Sequence, residues 1–155
     1  MNVLVIYDSM YGNTEKIARS IADAIGGDVK VVRAGDVKPR DMDSIGVLIV
    51  GSPTQGFLAT KPVQAFIESI PADGLKGIKL TAFDTRMSTS DVGAGLKLIM
   101  KMGGYAAGRI AEALRKKGGT IVVPAEGFFV KDKEGPLKEG ELERAAAWAK
   151  EIVSK

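Results

Sequence analysis

The chain of 155 residues predicts an α/β fold: a doubly wound, five-stranded parallel sheet in the order 2-1-3-4-5 with helices on both faces. Three observations carry this expectation. Short β-type runs alternate with helical patterns along the whole chain. Residues 45–50 are almost entirely apolar, as a strand buried on both faces of a parallel sheet must be. Each helical pattern spaces its apolar residues three and four apart, which leaves one face to lie against a sheet.

The elements follow in order. Residues 2–7 form the first strand and run into a turn of small and hydroxyl residues. Ile17, Ile21 and Ile25 then recur every four residues beside Ala18, Ala22 and Ala24, and Gly26-Gly27 closes that helix. Residues 29–32 are the second strand. Residues 34–44 hold Gly, Pro and charges, so a loop with at most a short helical turn replaces the second helix. The third strand, 45–50, ends in Gly51-Ser52-Pro53-Thr54-Gln55-Gly56-Phe57. Thr60 can cap the next helix, with Pro62 in its first turn, Val63, Phe66, Ile67 and Ile70 on its core face, and Pro71 as its stop. Residues 78–83 are the fourth strand. Residues 84–105 exceed the roughly two to six residues of an ordinary strand-to-helix loop. Asp91 can cap a short helix there, with Leu96, Ile99 and Met100 as its apolar side and Gly103-Gly104 breaking it from the next; one long kinked helix is the competing reading. Residues 106–117 form a helix with Ala107, Ile110, Ala111 and Leu114 inward, residues 120–123 the fifth strand, and residues 141–153 a last helix with Leu142, Ala145, Ala149 and Ile152 on one side. No repeat, low-complexity tract or linker interrupts this order, so residues 1–155 read as one domain.

Composition narrows the chemistry. The chain has no Cys and no His, which removes thiol nucleophiles, disulfides, the common zinc sites, Cys-ligated iron–sulfur clusters and His acid–base catalysis. Demanding chemistry must then come from carboxylates, Lys, Tyr, Ser or a borrowed cofactor. The net charge is +3 and the pI about 9.1. The basic residues are scattered and form no basic-aromatic stripe, so nucleic acid is not an expected partner. No apolar run approaches the ~20 residues of a membrane span, and no basic-then-apolar leader precedes the first strand. No membrane association and a cytoplasmic location are therefore expected.

The turn after the first strand reads Ser9-Met10-Tyr11-Gly12-Asn13-Thr14. Hydroxyls at both ends and several backbone N–H groups meet there at the positive end of a helix dipole, which makes a phosphate cradle. The anion needs no Lys or Arg, and none lies between Met1 and Glu15. In a sheet of order 2-1-3-4-5, ligands bind where the strand order reverses, between strands 1 and 3. The loops after strands 1, 3 and 4 bring hydroxyl, Gly and amide groups to that edge, which suits a phosphorylated ligand with a flat polar ring. Asp8 and Asp84 stand at strand ends, as in a phosphoryl-accepting response-regulator receiver. Strand 3, however, ends in Gly51-Ser52 where a receiver needs an acid, and no Gly-Lys-Ser/Thr loop exists for a triphosphate.

The hexapeptide from Ser9 to Thr14 resembles the flavodoxin phosphate-loop pattern Ser/Thr-x-Thr/Tyr-Gly-x-Thr, and Gly51-Ser52-Pro53-Thr54 resembles the opening of that family's second flavin loop. Each follows the appropriate strand, and the similarity extends over essentially the whole chain; flavodoxin is itself a standard example of the 2-1-3-4-5 order. The resemblance implies a flavodoxin-like domain that holds FMN without a covalent link. Ser9 and Thr14 would bond phosphate oxygens, while Tyr11 and Gly12 would offer backbone N–H groups beside Met10 and Asn13. The flavin ring would lie between Pro53, Thr54, Gln55, Gly56 and Phe57 on one loop and Thr85, Arg86 and Met87 on the other. The protein would shuttle single electrons between redox partner proteins, as a monomer and without catalytic residues.

Particular residues refine these expectations. Gly56 can turn its peptide over cheaply, so its carbonyl is a candidate acceptor for a proton gained at the ring during reduction. Where the family often places Trp or Tyr on the flavin faces, this chain has Phe57 or Met87 to cover one, with Tyr105 within possible reach. Trp148 is expected to pack in the core. Arg86 either stands near the ring, where a cation would make the second reduction potential less negative, or faces solvent. The basic chain cannot use the full steering of an acidic carrier, because the acids of residues 134–143 are offset by Lys131, Lys133 and Lys138. The same resemblance admits an NAD(P)H-dependent FMN quinone reductase that uses residues 84–105 to shape a substrate pocket, and a scaffold of this fold that has lost its flavin.

Overall fold

The computed structural model of the protein describes residues 2–55, 57–87 and 105–155. The expected role of Gly56, and the choice between a looped helix and a kinked helix built on Asp91, Leu96, Ile99, Met100, Gly103 and Gly104, lie outside the described residues.

The order is β1 (Val3–Tyr7), α1 (Asn13–Ile25), β2 (Val29–Arg33), two short 3-10 turns (Ala34–Asp36 and Pro39–Met42), β3 (Val47–Pro53), α2 (Lys61–Ser69), β4 (Lys79–Met87), α3 (Ala106–Lys116), β5 (Thr120–Ile121), β6 (Glu126–Val130) and α4 (Glu141–Val153). All strand pairs are parallel and the main path runs β2-β1-β3-β4-β5, the expected order. The fifth strand is split. β5 pairs with Lys79 and Leu80, and β6 pairs with residues Phe83 to Met87 farther along the same edge of β4. Pro124 sits in the break and has no N–H to give to a ladder. The Thr81 hydroxyl instead donates to the Val123 carbonyl at 3.0 Å.

Side chains alternate across the sheet with period two. Leu4, Ile6, Leu48, Val50, Leu80 and Ala82 face α2 and α3, while Val3, Val5, Val47, Ile49 and Phe83 face α1 and α4. The helical faces expected for α2 and α3 are buried as read. In α4 the expected face needs correction: Leu142 is 40% exposed, and the core side is Glu141, Ala145, Trp148, Ala149 and Ile152. Trp148 replaces it because its ring completes a stack of edge-on aromatics, 6.2 Å from Phe83 and 5.8 Å from Phe128. Thr60 does stand at the N-cap of α2, but its hydroxyl makes no capping bond and is buried without a partner; its N–H donates to the Ser52 hydroxyl at 3.0 Å.

Two contacts fix the parts of the sheet that carry the site. Gly51 lies beneath the Phe83 ring, and a Cβ added there would fall 2.0 Å from Phe83 Cζ. At the other edge the buried Glu141 carboxylate accepts the Phe129 N–H at 2.6 Å and pairs with Arg144 at 2.7 Å. Arg144 also pairs with Glu126 at 3.3 Å and lies over the Phe128 ring, 4.6 Å from its centroid. β6 is thereby clasped to the start of α4. Burial raises the Glu141 carboxyl, but the Arg144 guanidinium and the Phe129 amide outweigh it and hold the group below its ordinary range.

Gly51→Ala is expected to cost roughly 1–3 kcal/mol, since Phe83 has no free side to move toward; a denaturant midpoint measurement checks this. A carboxyl held low contributes stability above its ordinary pKa and loses it as pH falls through the folded value. Glu141→Gln should therefore lower stability by roughly 1–3 kcal/mol at neutral pH and flatten the loss of thermal stability that the parent protein shows on acidification below the ordinary glutamate range.

Candidate functional site

The loops after β1, β3 and β4 meet at the carboxyl edge of the sheet around a cavity of about 360 Å³. Its walls include Ser9, Met10, Tyr11, Asn13 and Thr14 from the first loop, Pro53, Thr54 and Gln55 from the second, and Thr85, Arg86 and Met87 from β4. Gly12 is not in the wall, but it supports it: Gly12 holds φ of 90° as N-cap of α1, a conformation that glycine adopts freely. Its N–H donates to the Ser9 hydroxyl at 3.0 Å, which closes the turn. Phe57 is half-buried, has φ of 72°, and does not line the cavity. Two further wall residues, Val130 and Lys133, come from the end of β6 and the turn after it. Sequence reading passed over both, because residues 126–130 held no alternating strand pattern and only the fold brings this turn to the first loop.

The loops hold one another in place. The buried Thr14 hydroxyl shares a hydrogen bond of 2.8 Å with the Thr85 hydroxyl, which joins the start of α1 to β4. Thr54 donates its N–H to the Thr85 carbonyl at 3.0 Å, and its hydroxyl accepts the Ala106 N–H at 3.2 Å. Gln55 and Leu58 exchange two backbone hydrogen bonds of 2.8 and 2.9 Å, and the Gln55 side chain donates to the Met10 sulfur. Asn13 donates to the Glu134 carbonyl at 3.1 Å. From β2, Arg33 donates to the Ser9 carbonyl at 3.0 Å and pairs with Asp8 at 3.2 Å.

No side chain caps α1. The first amides of a helix have no partner within it, so these N–H groups, with the Ser9 and Thr14 hydroxyls beside them, form a polar end to the cavity that can hold a phosphate-sized anion. Pro53, Met87, Val130 and the exposed Met10 and Tyr11 add apolar surface to the walls. No carboxylate lines the cavity among the described residues. The arrangement is equipped to bind an anionic group together with an apolar one.

Asp84 is fully buried; it accepts Arg86 Nε at 2.6 Å, Arg86 Nη2 at 2.8 Å and the Ala107 N–H at 2.9 Å. The Arg86 guanidinium stacks on Tyr105, 3.6 Å from the ring centroid. Gly127 leaves room for it, since a Cβ there would sit 2.2 Å from the guanidinium carbon. Burial pushes the Asp84 carboxyl above its ordinary value, against the pull of Arg86, the Ala107 amide and the Thr54 hydroxyl. Arg86 lines the cavity, as one of its two expected placements required, but its charge is matched by Asp84 at bidentate range. Tyr105 is likewise engaged with Arg86.

Comparison with known proteins gives a family and a fold. The family model for flavodoxin matches residues 5–148. Flavodoxin 1 from Bacillus cereus is similar in structure at 19% identity, with a TM-score of 0.72 and coverage of 99% of this chain and 98% of that one. A flavodoxin from the domain Archaea matches at 24% identity, TM-score 0.70, covering 99% and 97%. Rubredoxin oxygen:oxidoreductase from Desulfovibrio gigas matches at 22% identity, TM-score 0.72, covering 99% of this chain and 35% of that larger one. A search of curated proteins returned no match.

Thr14→Val leaves the Thr85 hydroxyl buried without its partner. It is expected to cost roughly 1–3 kcal/mol of stability, read as a shift in the urea midpoint, while Thr14→Ser keeps most of the parent value.

Proposed function

The chain belongs to the flavodoxin family, and from that premise we propose that the cavity binds FMN and that the protein carries electrons one at a time between redox partner proteins. The observation that carries this reading is the uncapped start of α1, which opens between the Ser9 and Thr14 hydroxyls into a cavity with apolar walls. FMN joins a phosphate dianion to a flat ring, and the polar donors and the apolar walls of the cavity match those two parts in chemistry. When bound, the flavin supplies the redox chemistry.

The chain's own groups do the rest. The first amides of α1 and the two hydroxyls hold the phosphate. Pro53, Thr54, Gln55, Thr85, Arg86 and Met87 flank the ring, and Thr54 and Thr85 present polar groups fixed by their mutual bond. Met10 and Tyr11, both in the cavity wall, are exposed at 53% and 45%, so an approaching partner protein would meet apolar surface there. No described helix is long and apolar enough to cross a membrane.

Titration of the flavin-free protein with FMN should quench the dye's fluorescence and saturate at one FMN per chain. Thr14→Val should weaken binding roughly 10- to 100-fold, the worth of a hydrogen bond to a charged group. Absence of saturable quenching by the parent protein overturns the reading. Gradual anaerobic reduction followed by absorbance should then proceed in two separate one-electron stages. Sustained NADPH–quinone turnover by the purified protein alone would contradict a pure carrier and select a reductase of the same fold.

A further inference from the structure

Two cations line the cavity among the described residues, Arg86 and Lys133. Arg86 is matched by the buried Asp84. Arg33, which braces the first loop from outside, is matched by Asp8 at 3.2 Å and Glu15 at 3.7 Å. Lys133 is exposed and takes part in no ion pair among the described residues. Among the described residues the wall therefore carries one positive charge without an ion pair, and it belongs to a residue far from the first loop in sequence.

The turn that holds Lys133 is anchored. Lys131 donates its N–H to the Pro136 carbonyl at 2.8 Å, Gly135 to the Asp132 carbonyl at 2.9 Å, and Lys133 to the Asp132 carboxylate at 2.7 Å. The next residue, Glu134, accepts from the buried Asn13 side chain, and Gly135 packs so closely on Asn13 that a Cβ would lie 2.6 Å from Nδ2. Asn13 stands in the first turn of α1. The backbone of Lys133 is thus tied to the part of the cavity that carries the free amides and hydroxyls.

We propose that Lys133 supplies the countercharge for the ligand's phosphate, so that it distinguishes a phosphorylated flavin from the uncharged flavin that lacks the phosphate. This rests on the flavin reading above and adds to it a residue outside the phosphate loop. The loop's dipoles and hydroxyls orient the anion, and a flexible ammonium adds a charge term that salt screens.

The test compares the parent protein with Lys133→Gln and Lys131→Gln, titrated with FMN and with riboflavin at low and high salt. Lys131 is also exposed, carries the same charge and does not line the cavity. Lys133→Gln should raise the Kd for FMN roughly 2- to 5-fold at low salt, in the range of an exposed ion pair, with a smaller ratio at high salt. Riboflavin binding should be unchanged by either variant, and Lys131→Gln should affect FMN less than Lys133→Gln does. Equal loss for FMN and riboflavin, no loss at all, or equal loss from Lys131→Gln overturns the assignment. If the parent protein binds riboflavin and FMN equally, the phosphate site itself is absent and the assignment fails with it. If it binds neither, the flavin reading fails as well, which separates the two conclusions.

Discussion

The start of α1 is left without a side-chain cap, and the functional edge of the molecule is arranged around that deficit. Helix amides without partners are costly in a dry environment and inexpensive beside an anion or water. Here they open into a cavity with hydroxyls on either side and three loops around them. Each loop is shaped by bonds to another: Thr14 to Thr85, Thr54 to Thr85 and Ala106, Asn13 to Glu134, Arg33 to Ser9. A cavity whose walls fix one another loses little freedom when a ligand enters. The sheet provides the frame. Tyr7, Gly51 and Phe83 stand side by side on β1, β3 and β4, so the ends of these strands are in register when their loops begin.

Charge around the cavity is largely cancelled. Asp84 is buried at the start of α3, where it receives the Ala107 N–H and the Arg86 guanidinium together. It serves the helix and the pair at once, which gives this acid within β4 a structural role. Arg33 is shared between Asp8 and Glu15. Among the described residues this leaves a floor with strong dipoles and, in Lys133, one cation without an ion pair. Such a floor recognises a phosphate by direction as well as by charge, since amide and hydroxyl donors must point at its oxygens.

Much of this was legible in the sequence, for physical reasons. The strands and the faces of α2 and α3 are local patterns, and the continuous apolar run of residues 45–50 announced a buried parallel strand. The phosphate-loop motif lies within six consecutive residues, so its neighbours in space are its neighbours in sequence. The pairing of Asp84 with Arg86 was not readable, because the fourth strand was expected to end at residue 83 and residues two apart share a face only within a strand; β4 runs on to Met87. Other features were not local. β6 is hidden by Pro124 and Gly127, and its pairing depends on β4 continuing to Met87. Trp148 displaces Leu142 from the core because Phe83 and Phe128 come from distant strands to meet it. Lys133 reaches the cavity only because Asn13 holds the turn beside it.

The most direct measurement is the backbone amide spectrum of the isotopically labelled protein during titration with FMN and, separately, with riboflavin. If the open end of α1 grips a phosphoryl group, the amide signals of residues 11–15 move downfield and saturate with FMN, and respond weakly to riboflavin. Signals at those positions that stay in place while other cavity residues respond to FMN would contradict the account.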